Sequence, residues 1–256
     1  MNITKVIIAI SFSLFYMTSA IAENKLRTKF EKPVNKEETN IQKELKASDT
    51  TKAVVELINE IIKLSKPLTI VYGGSDGPLF DSRTNEIIIP YSFVQEIKRR
   101  FITVKYSESG VSVADATMDA LMHTLFHEIG HALIYMHELP VLGKEEDAVD
   151  SLATVLLIEY FEDGQEIAIS AADLFDLESD DITEFGEQDF WDEHSLDAQR
   201  FYNTLCHVYG SNPKQYKYLL KDGLFSEDRA VLCIEEYEHI LSSWLKLLKP
   251  YLKSVK

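Results

Sequence analysis

Residues 114–137 carry an uninterrupted helical pattern, and this segment constrains the fold more than any other. Apolar residues recur there with the 3.6-residue period of an α-helix, and the first proline beyond them is Pro140. The pattern therefore predicts one long helix with a buried apolar face. The residues of that face are Ala114, Met118, Leu121, Met122, Leu125, Phe126, Ile129, Leu133 and Met136.

The predicted helix contains an H-E-x-x-H pentad, residues 127–131. Side chains four residues apart lie on one face of a helix, so His127 and His131 can bind one Zn²⁺ ion. Glu128 is predicted to activate a zinc-bound water as the general base. Gly130 costs about 1 kcal/mol relative to alanine inside a helix, which suggests the close approach of another backbone or of a substrate.

A zinc site of this kind needs a third protein ligand, and an acidic run at 145–150 opens the next predicted helix. Glu146 is the preferred ligand and Asp150 is the alternative. If the pentad helix ended in a tight turn, Asp150 would lie level with the metal. A seven-residue loop spanning roughly 20 Å would instead bring Glu146 back to it. Glu145 and Asp147 are interpreted as charges that favour a helix N-terminus.

A family resemblance is carried by HEIGHALIYMHELPVLGKEEDAVDSLATVLL, by WDEHSLDAQRFYNTLCHVYGSNP and by Cys233. These stretches resemble a family of bacterial zinc metallopeptidases with an N-terminal signal and an unsettled substrate. The E-x-x-x-D pattern of Glu146 and Asp150 resembles gluzincins, in which the glutamate binds zinc and the aspartate holds a ligand histidine. The resemblance implies zinc on His127, His131 and Glu146, with Glu128 as the base.

The predicted fold class is α+β: a mostly helical, zincin-like domain over residues 52–256 with a small β-sheet before the pentad helix. A helix over Thr51–Ser65 ends before Pro67, and β-branched runs follow at Leu68–Tyr72 and Glu86–Tyr91. The edge of this sheet either binds extended substrate or belongs to a purely structural hairpin. Later helices are predicted over Glu166–Leu177, Ser195–Tyr209, Pro213–Lys221 and Ser226–Leu248.

The N-terminus predicts export. An apolar run from Val6 to Met17 and the small residues at 20–22 are typical of a signal peptide over residues 1–22, cleaved after Ala22. A retained signal anchor is the alternative, although the run is short for a bilayer. Residues 23–51 are charged and are interpreted as a solvated linker. The expected location is the periplasm or the extracellular space, without a stable membrane anchor after cleavage.

The two cysteines, Cys206 and Cys233, predict one disulfide, because an even number of cysteines in an oxidising compartment is most simply paired. Metal binding by these residues is the competing interpretation. No C-x-x-C spacing supports it.

Several polar residues outside the pentad are further candidates. His194, beside Asp192 and Glu193, is predicted to donate a hydrogen bond to a transition-state oxyanion, although local hydrogen bonding at a helix start explains it equally well. Arg200 and Tyr202 fall within the resemblance without an assigned role. His123 lies too far along the helix to share a metal with His131, which favours a supporting or core role.

The net charge of −16 narrows the partners. It disfavours nucleic acid and anionic membranes and favours cationic or neutral peptides or proteins as substrates; the sequence indicates no oligomeric state. The main hypothesis is an exported zinc-dependent metallopeptidase. The alternative is a non-catalytic zinc-binding or interaction protein on a peptidase-like fold. The intact Glu128 favours catalysis, because a structural zinc site needs the histidines and not the base.

Overall fold

A computed structural model describes residues 25–221 and 223–253, so the predicted signal peptide lies outside the described residues. The fold is α+β and mostly helical, as the sequence predicts. The strands are β1 (Leu26–Phe30), β2 (Leu68–Tyr72), β3 (Leu79–Asp81) and β4 (Glu86–Ile89). The helices are α1 (Lys36–Ala47), α2 (Thr50–Ile61), α3 (Tyr91–Thr103), α4 (Val113–His137), α5 (Glu145–Tyr160), α6 (Gly164–Ser179), α7 (Gln188–Trp191), α8 (Asp197–Ser211), α9 (Tyr218–Lys221) and α10 (Glu227–Leu248).

The four strands form one sheet in the order β1-β2-β4-β3. Strands β1, β2 and β4 are parallel, with Leu26 opposite Leu68 and Thr69 opposite Glu86. Strand β3 is antiparallel to β4 and forms one edge of the sheet. It also contacts α4, so the sheet edge lies beside the helix that carries the pentad.

The interpretation of residues 23–51 as a solvated linker is wrong for β1 and α1. Leu26 is buried in the sheet, and its backbone N–H and C=O bind the side chain of Asn59. Ile41 and Leu45, one turn apart, bury one face of α1. Composition misses this arrangement because three buried apolar residues and parallel pairing with β2 are enough to order a charged segment.

Other boundaries also differ from the sequence prediction. The helix predicted over Thr51–Ser65 ends at Ile61. Residues 213–217 form turns rather than helix. The side-chain oxygen of Asn212 accepts a hydrogen bond from the backbone N–H of Gln215 at 3.4 Å, a local contact that competes with helix formation. The predicted strand at 86–91 stops at Ile89, since Pro90 precedes the first turn of α3. The sequence analysis assigns no element to α3.

Helix α4 lies at the centre of the domain. Ser112 caps its start by accepting a hydrogen bond from the backbone N–H of Asp115 at 3.0 Å. Helices α2, α3, α5 and α6 and strands β3 and β4 all contact it. Burial therefore extends beyond the predicted apolar face and includes the polar side chains of His123, His127 and Glu128.

The predicted disulfide between Cys206 and Cys233 is present and joins α8 to α10 across 27 residues of sequence. Both cysteines are fully buried. Among the described residues, no helix has the length and apolar character needed to cross a membrane.

Candidate metal centre

Two adjacent helices bring the predicted metal ligands together. His127 and His131 lie one turn apart on α4, which ends at His137. Glu138 then adopts a left-handed backbone conformation, and residues 138–144 lead to α5, where Glu146 lies in the first turn. The connection is long enough to return Glu146 to the level of the two histidines.

Three side-chain atoms form a nearly equilateral triangle. His127 Nε2 lies 3.1 Å from Glu146 Oε2, His131 Nε2 lies 3.3 Å from the same oxygen, and the two Nε2 atoms are 3.2 Å apart. Ligands about 2.0–2.1 Å from a tetrahedral zinc ion lie roughly 3.3–3.4 Å from one another. This cluster can therefore hold a metal ion, and its two imidazoles and one carboxylate suit zinc.

Asp150, the alternative ligand, contacts the opposite nitrogen of His127. Its Oδ1 lies 2.6 Å from His127 Nδ1, on the side of the ring away from the triangle. Arg200 donates two hydrogen bonds to the same carboxylate, from Nε to Oδ2 at 2.8 Å and from Nη2 to Oδ1 at 3.1 Å. Asp150 thus orients His127, as carboxylates commonly do for metal-binding histidines.

Glu145 has the corresponding contact with the second histidine. Its Oε1 lies 2.7 Å from His131 Nδ1, so this residue does more than place negative charge at the helix start. The sequence contains a signal for this contact. Glu145 and Glu146 are adjacent at a helix start, where neighbouring side chains project in different directions. One carboxylate can then face the triangle while the other reaches the far nitrogen of His131.

The surrounding charges favour a cation. Burial would lower the pKa of His127, but hydrogen bonds to Asp150 and Glu146 outweigh it and raise the pKa to about 9. Burial would raise the pKa of Glu146, but its hydrogen bonds with His127, His131 and His194 hold that pKa well below its usual range. Glu146 therefore remains ionised, and the triangle attracts positive charge.

Glu128 lies in the same cleft and is only 5 % exposed. Burial raises its pKa, while the neighbouring His127 and His131 partly oppose that shift. A buried carboxylate with a raised pKa accepts a proton more readily than an exposed one, which is the property that a general base needs.

The cleft beside the triangle has a volume of about 380 Å³. One wall is the sheet edge, from Pro78 to Phe80, and the other is the loop that carries Glu193 and His194. His194 Nε2 lies 3.0 Å from Glu146 Oε2. His194 nevertheless does not belong to the cluster of His127, His131 and Glu146, whose ligand atoms all lie within 4.8 Å of one another. A side chain in this position can donate to a group bound in the cleft.

The remaining sequence candidates take different places. Arg200 lies behind Asp150, whereas Tyr202 is exposed and packs against Phe201 and Phe225. His123 is buried in the core, with its Nε2 3.3 Å from Thr154 Oγ1, and burial lowers its pKa to about 4. Neither Tyr202 nor His123 reaches the triangle.

An H-E-x-x-H helix with two histidines and a carboxylate around one point is typical of metallopeptidases. A family model described as "Putative metallopeptidase" matches residues 30–248, and the chain belongs to this family. This match confirms the family resemblance drawn from the sequence. No curated protein and no solved structure matches the chain.

Proposed function

We propose that this protein is an exported zinc metallopeptidase that hydrolyses peptide bonds. The observation that carries the proposal is the triangle of His127, His131 and Glu146, with edges of 3.1–3.3 Å, beside the buried carboxylate of Glu128. These three side chains hold the ion, and Asp150 and Glu145 orient the two imidazoles. Zinc supplies Lewis acidity, because it lowers the pKa of water and polarises a carbonyl group.

Glu128 is the proposed general base. Its carboxylate takes the proton from the attacking water and then delivers it to the nitrogen of the departing amine. The low exposure of Glu128 supports this role, since a carboxylate that is poorly hydrated holds a proton better.

His194 is the proposed donor to the negative charge that develops on the substrate carbonyl oxygen. The support for this role is its Nε2, which lies 3.0 Å from Glu146 Oε2 and lines the same cleft. A donor held beside the reacting carbonyl stabilises the transition state more than the ground state.

The substrate is a peptide or protein chain. Strand β3 forms one wall of the cleft. Within residues 25–221 and 223–253 it pairs with β4 on one side only, which supports pairing of an extended peptide with its other edge. Export rests on the signal-like residues 1–22, and the disulfide is compatible with an oxidising compartment. N-terminal sequencing of the processed protein tests export and is expected to begin at Glu23.

A peptide-library cleavage assay combined with metal analysis tests the activity. The wild-type chain is expected to contain one zinc and to cleave peptides. Glu128→Gln should retain zinc and lose at least about a hundredfold in rate, while His127→Ala should lose the metal. Cleavage by Glu128→Gln at the wild-type rate would contradict the base role. Zinc binding without any cleavage would favour the non-catalytic alternative.

A further inference from the structure

Residues 182–193, with the sequence ITEFGEQDFWDE, are called here the acidic aromatic segment. They contain no lysine or arginine, and the side chains of Phe185, Phe190 and Trp191 are exposed, the last two by 70 % and 72 %. Grouped aromatic rings exposed to water commonly mark an interaction surface. The acidic residues are Glu184, Glu187, Asp189, Asp192 and Glu193.

This segment is held to the rest of the domain near both ends. Arg100 forms an ion pair with Asp181 just before it. At the other end, Lys144 Nζ donates to the backbone oxygens of Asp192 at 3.0 Å and His194 at 2.8 Å. The segment is therefore anchored near both ends, and its C-terminal end adjoins the cleft through Glu193.

The rings and acids are also close to one another within the segment. The ring centroids of Phe185 and Phe190 are 5.9 Å apart. Asp189 Oδ2 accepts a hydrogen bond from the backbone N–H of Gly186 at 2.6 Å, which closes the turn between the two rings. A ligand that contacts Phe185 and Phe190 therefore lies near the Asp189 carboxylate.

We propose that the acidic aromatic segment is a docking surface for lysine and arginine side chains of the peptide substrate; this proposal rests on the proposed function. Cationic groups are attracted both to aromatic faces and to carboxylates, so one basic side chain uses both features. The net charge of −16 attracts cationic peptides as well. Glu193 belongs to the segment and lines the cleft, so a docked chain lies beside the metal site.

Trp191 provides a direct measurement of docking. The chain has two tryptophans, and Trp244 is buried with its indole N–H bound to Ser151. Fluorescence changes on peptide binding should therefore come from Trp191. The full-length zinc-loaded Glu128→Gln variant is titrated with a ten-residue peptide of alternating arginine and serine, and with a glutamate–serine peptide as the charge control. Only the arginine peptide should shift the emission to a saturating value.

A matched pair of variants separates ring contacts from bulk charge. Phe185→Ser/Phe190→Ser in the same background should weaken binding of the arginine peptide about tenfold. Val231→Ser/Leu232→Ser, which changes exposed apolar residues on α10, should leave binding unchanged. Equal affinity of both double variants would overturn the proposal. A Trp191 shift with phosphatidylcholine vesicles and none with the arginine peptide would also overturn it.

Hydrolysis is measured separately with the wild-type chain, so the two proposals can fail independently. Binding of the arginine peptide without any peptidase activity would contradict the proposed function and leave the docking surface in place. Cleavage of arginine-containing peptides that the Phe185→Ser/Phe190→Ser change does not slow would contradict docking and support the peptidase.

Discussion

Arg200 and Asp150 form a two-point ion pair behind the candidate metal site. Arg200 Nε and Nη2 donate to the two carboxylate oxygens of Asp150 at 2.8 Å and 3.1 Å, and Asp150 Oδ1 lies 2.6 Å from His127 Nδ1. Arg200 also lies over the ring of Phe175, 3.9 Å from its centroid. Helix α8 thus fixes a carboxylate on α5, which in turn fixes the ring of a proposed ligand on α4.

The series of contacts from Arg200 through Asp150 to His127, called here the relay, predicts that Asp150→Asn weakens zinc binding although it removes no proposed ligand. The amide oxygen still accepts from His127, but the loss of negative charge makes the imidazole a weaker ligand. The zinc dissociation constant should rise about 10- to 100-fold, measured by competition with a chelator. Asp147→Asn is the control, because Asp147 accepts from Ser195 rather than from a histidine. An equal effect of the two substitutions would contradict the relay.

Glu145→Ala tests whether burial strengthens the contact between a carboxylate and the Nδ1 atom of a proposed ligand histidine. Glu145 contacts His131 Nδ1 as Asp150 contacts His127 Nδ1, but its side chain is 46 % exposed. Water screens an exposed pair, so the zinc dissociation constant should rise less than about fivefold in the same competition assay. A loss as large as that of Asp150→Asn would show that exposure does not weaken this contact.

Lys144 is expected to position His194. Lys144→Met removes both hydrogen bonds to the backbone of the loop at 192–194, so His194 should lose its fixed place beside Glu146. The expected result is about a tenfold fall in kcat/KM with unchanged zinc affinity. Lys144→Arg, which keeps a donor, should recover part of the rate. The exposed Lys52 provides a control as Lys52→Met; an equal fall there would contradict the positioning role.

The spacing of residues within one helix was enough to predict the pair His127 and His131. The position of Glu146 depends instead on the geometry of the loop between α4 and α5. The pair His127 and His131 depends only on the period of one helix. The placement of Glu146 rather than Asp150 at the triangle depends on where α4 ends, and the left-handed Glu138 ends it early enough for a loop to return. The contacts of Arg200 depend on the packing of α8 against α5. The spacing of residues within one segment does not predict how two distant helices pack.

The wrong prediction of a solvated linker over residues 23–51 also has its cause in contacts between segments that are distant in sequence. Strand β1 pairs in parallel with β2, and the paired residues Leu26 and Leu68 are 42 positions apart in the chain. A parallel pair leaves no tight-turn signal between its strands. Its order comes from a neighbour distant in sequence, whereas composition describes only the segment itself. The pentad helix could be predicted because its apolar period lies within one continuous segment.

Gly130 is predicted to be required for the packing of α4 against α5. A Cβ atom at this position would lie 2.7 Å from Val149 Cγ1 and 2.8 Å from Val149 Cβ, so the close neighbour is mainly a side chain rather than the backbone or substrate suggested by the sequence. Gly130→Ala should lower the free energy of unfolding by about 1–3 kcal/mol through overpacking, although alanine favours helix by about 1 kcal/mol.

Urea unfolding measures the stability change, and zinc competition measures the consequence for the site. Val149 lies between Glu146 and Asp150 on α5, so displacement of this helix should also weaken zinc binding. Gly143→Ala is the matched control, because a Cβ at Gly143 would meet no atom within 4 Å. If both substitutions had the same effect on unfolding, packing at Val149 would not be the cause.

Asp119 is predicted to destabilise the domain at neutral pH. Burial, together with the charges of Asp115 and Asp163, raises its pKa from 3.8 to about 6 despite a hydrogen bond from Ser170. The folded state therefore favours the protonated acid. The associated stability is complete below about pH 4 and is lost as the pH rises through about 6. Asp119→Asn stays neutral and should avoid this loss.

The difference in unfolding free energy between Asp119→Asn and the wild type is therefore expected to depend on pH. It should be small near pH 4, grow mainly between pH 4 and pH 6, and reach about 3 kcal/mol in favour of the variant above pH 7. Urea unfolding of both proteins at matched pH values measures it, and contributions from other titrating groups largely cancel in the difference. A difference that stays constant from pH 4 to pH 8 would show that Asp119 titrates alike in the folded and unfolded chains.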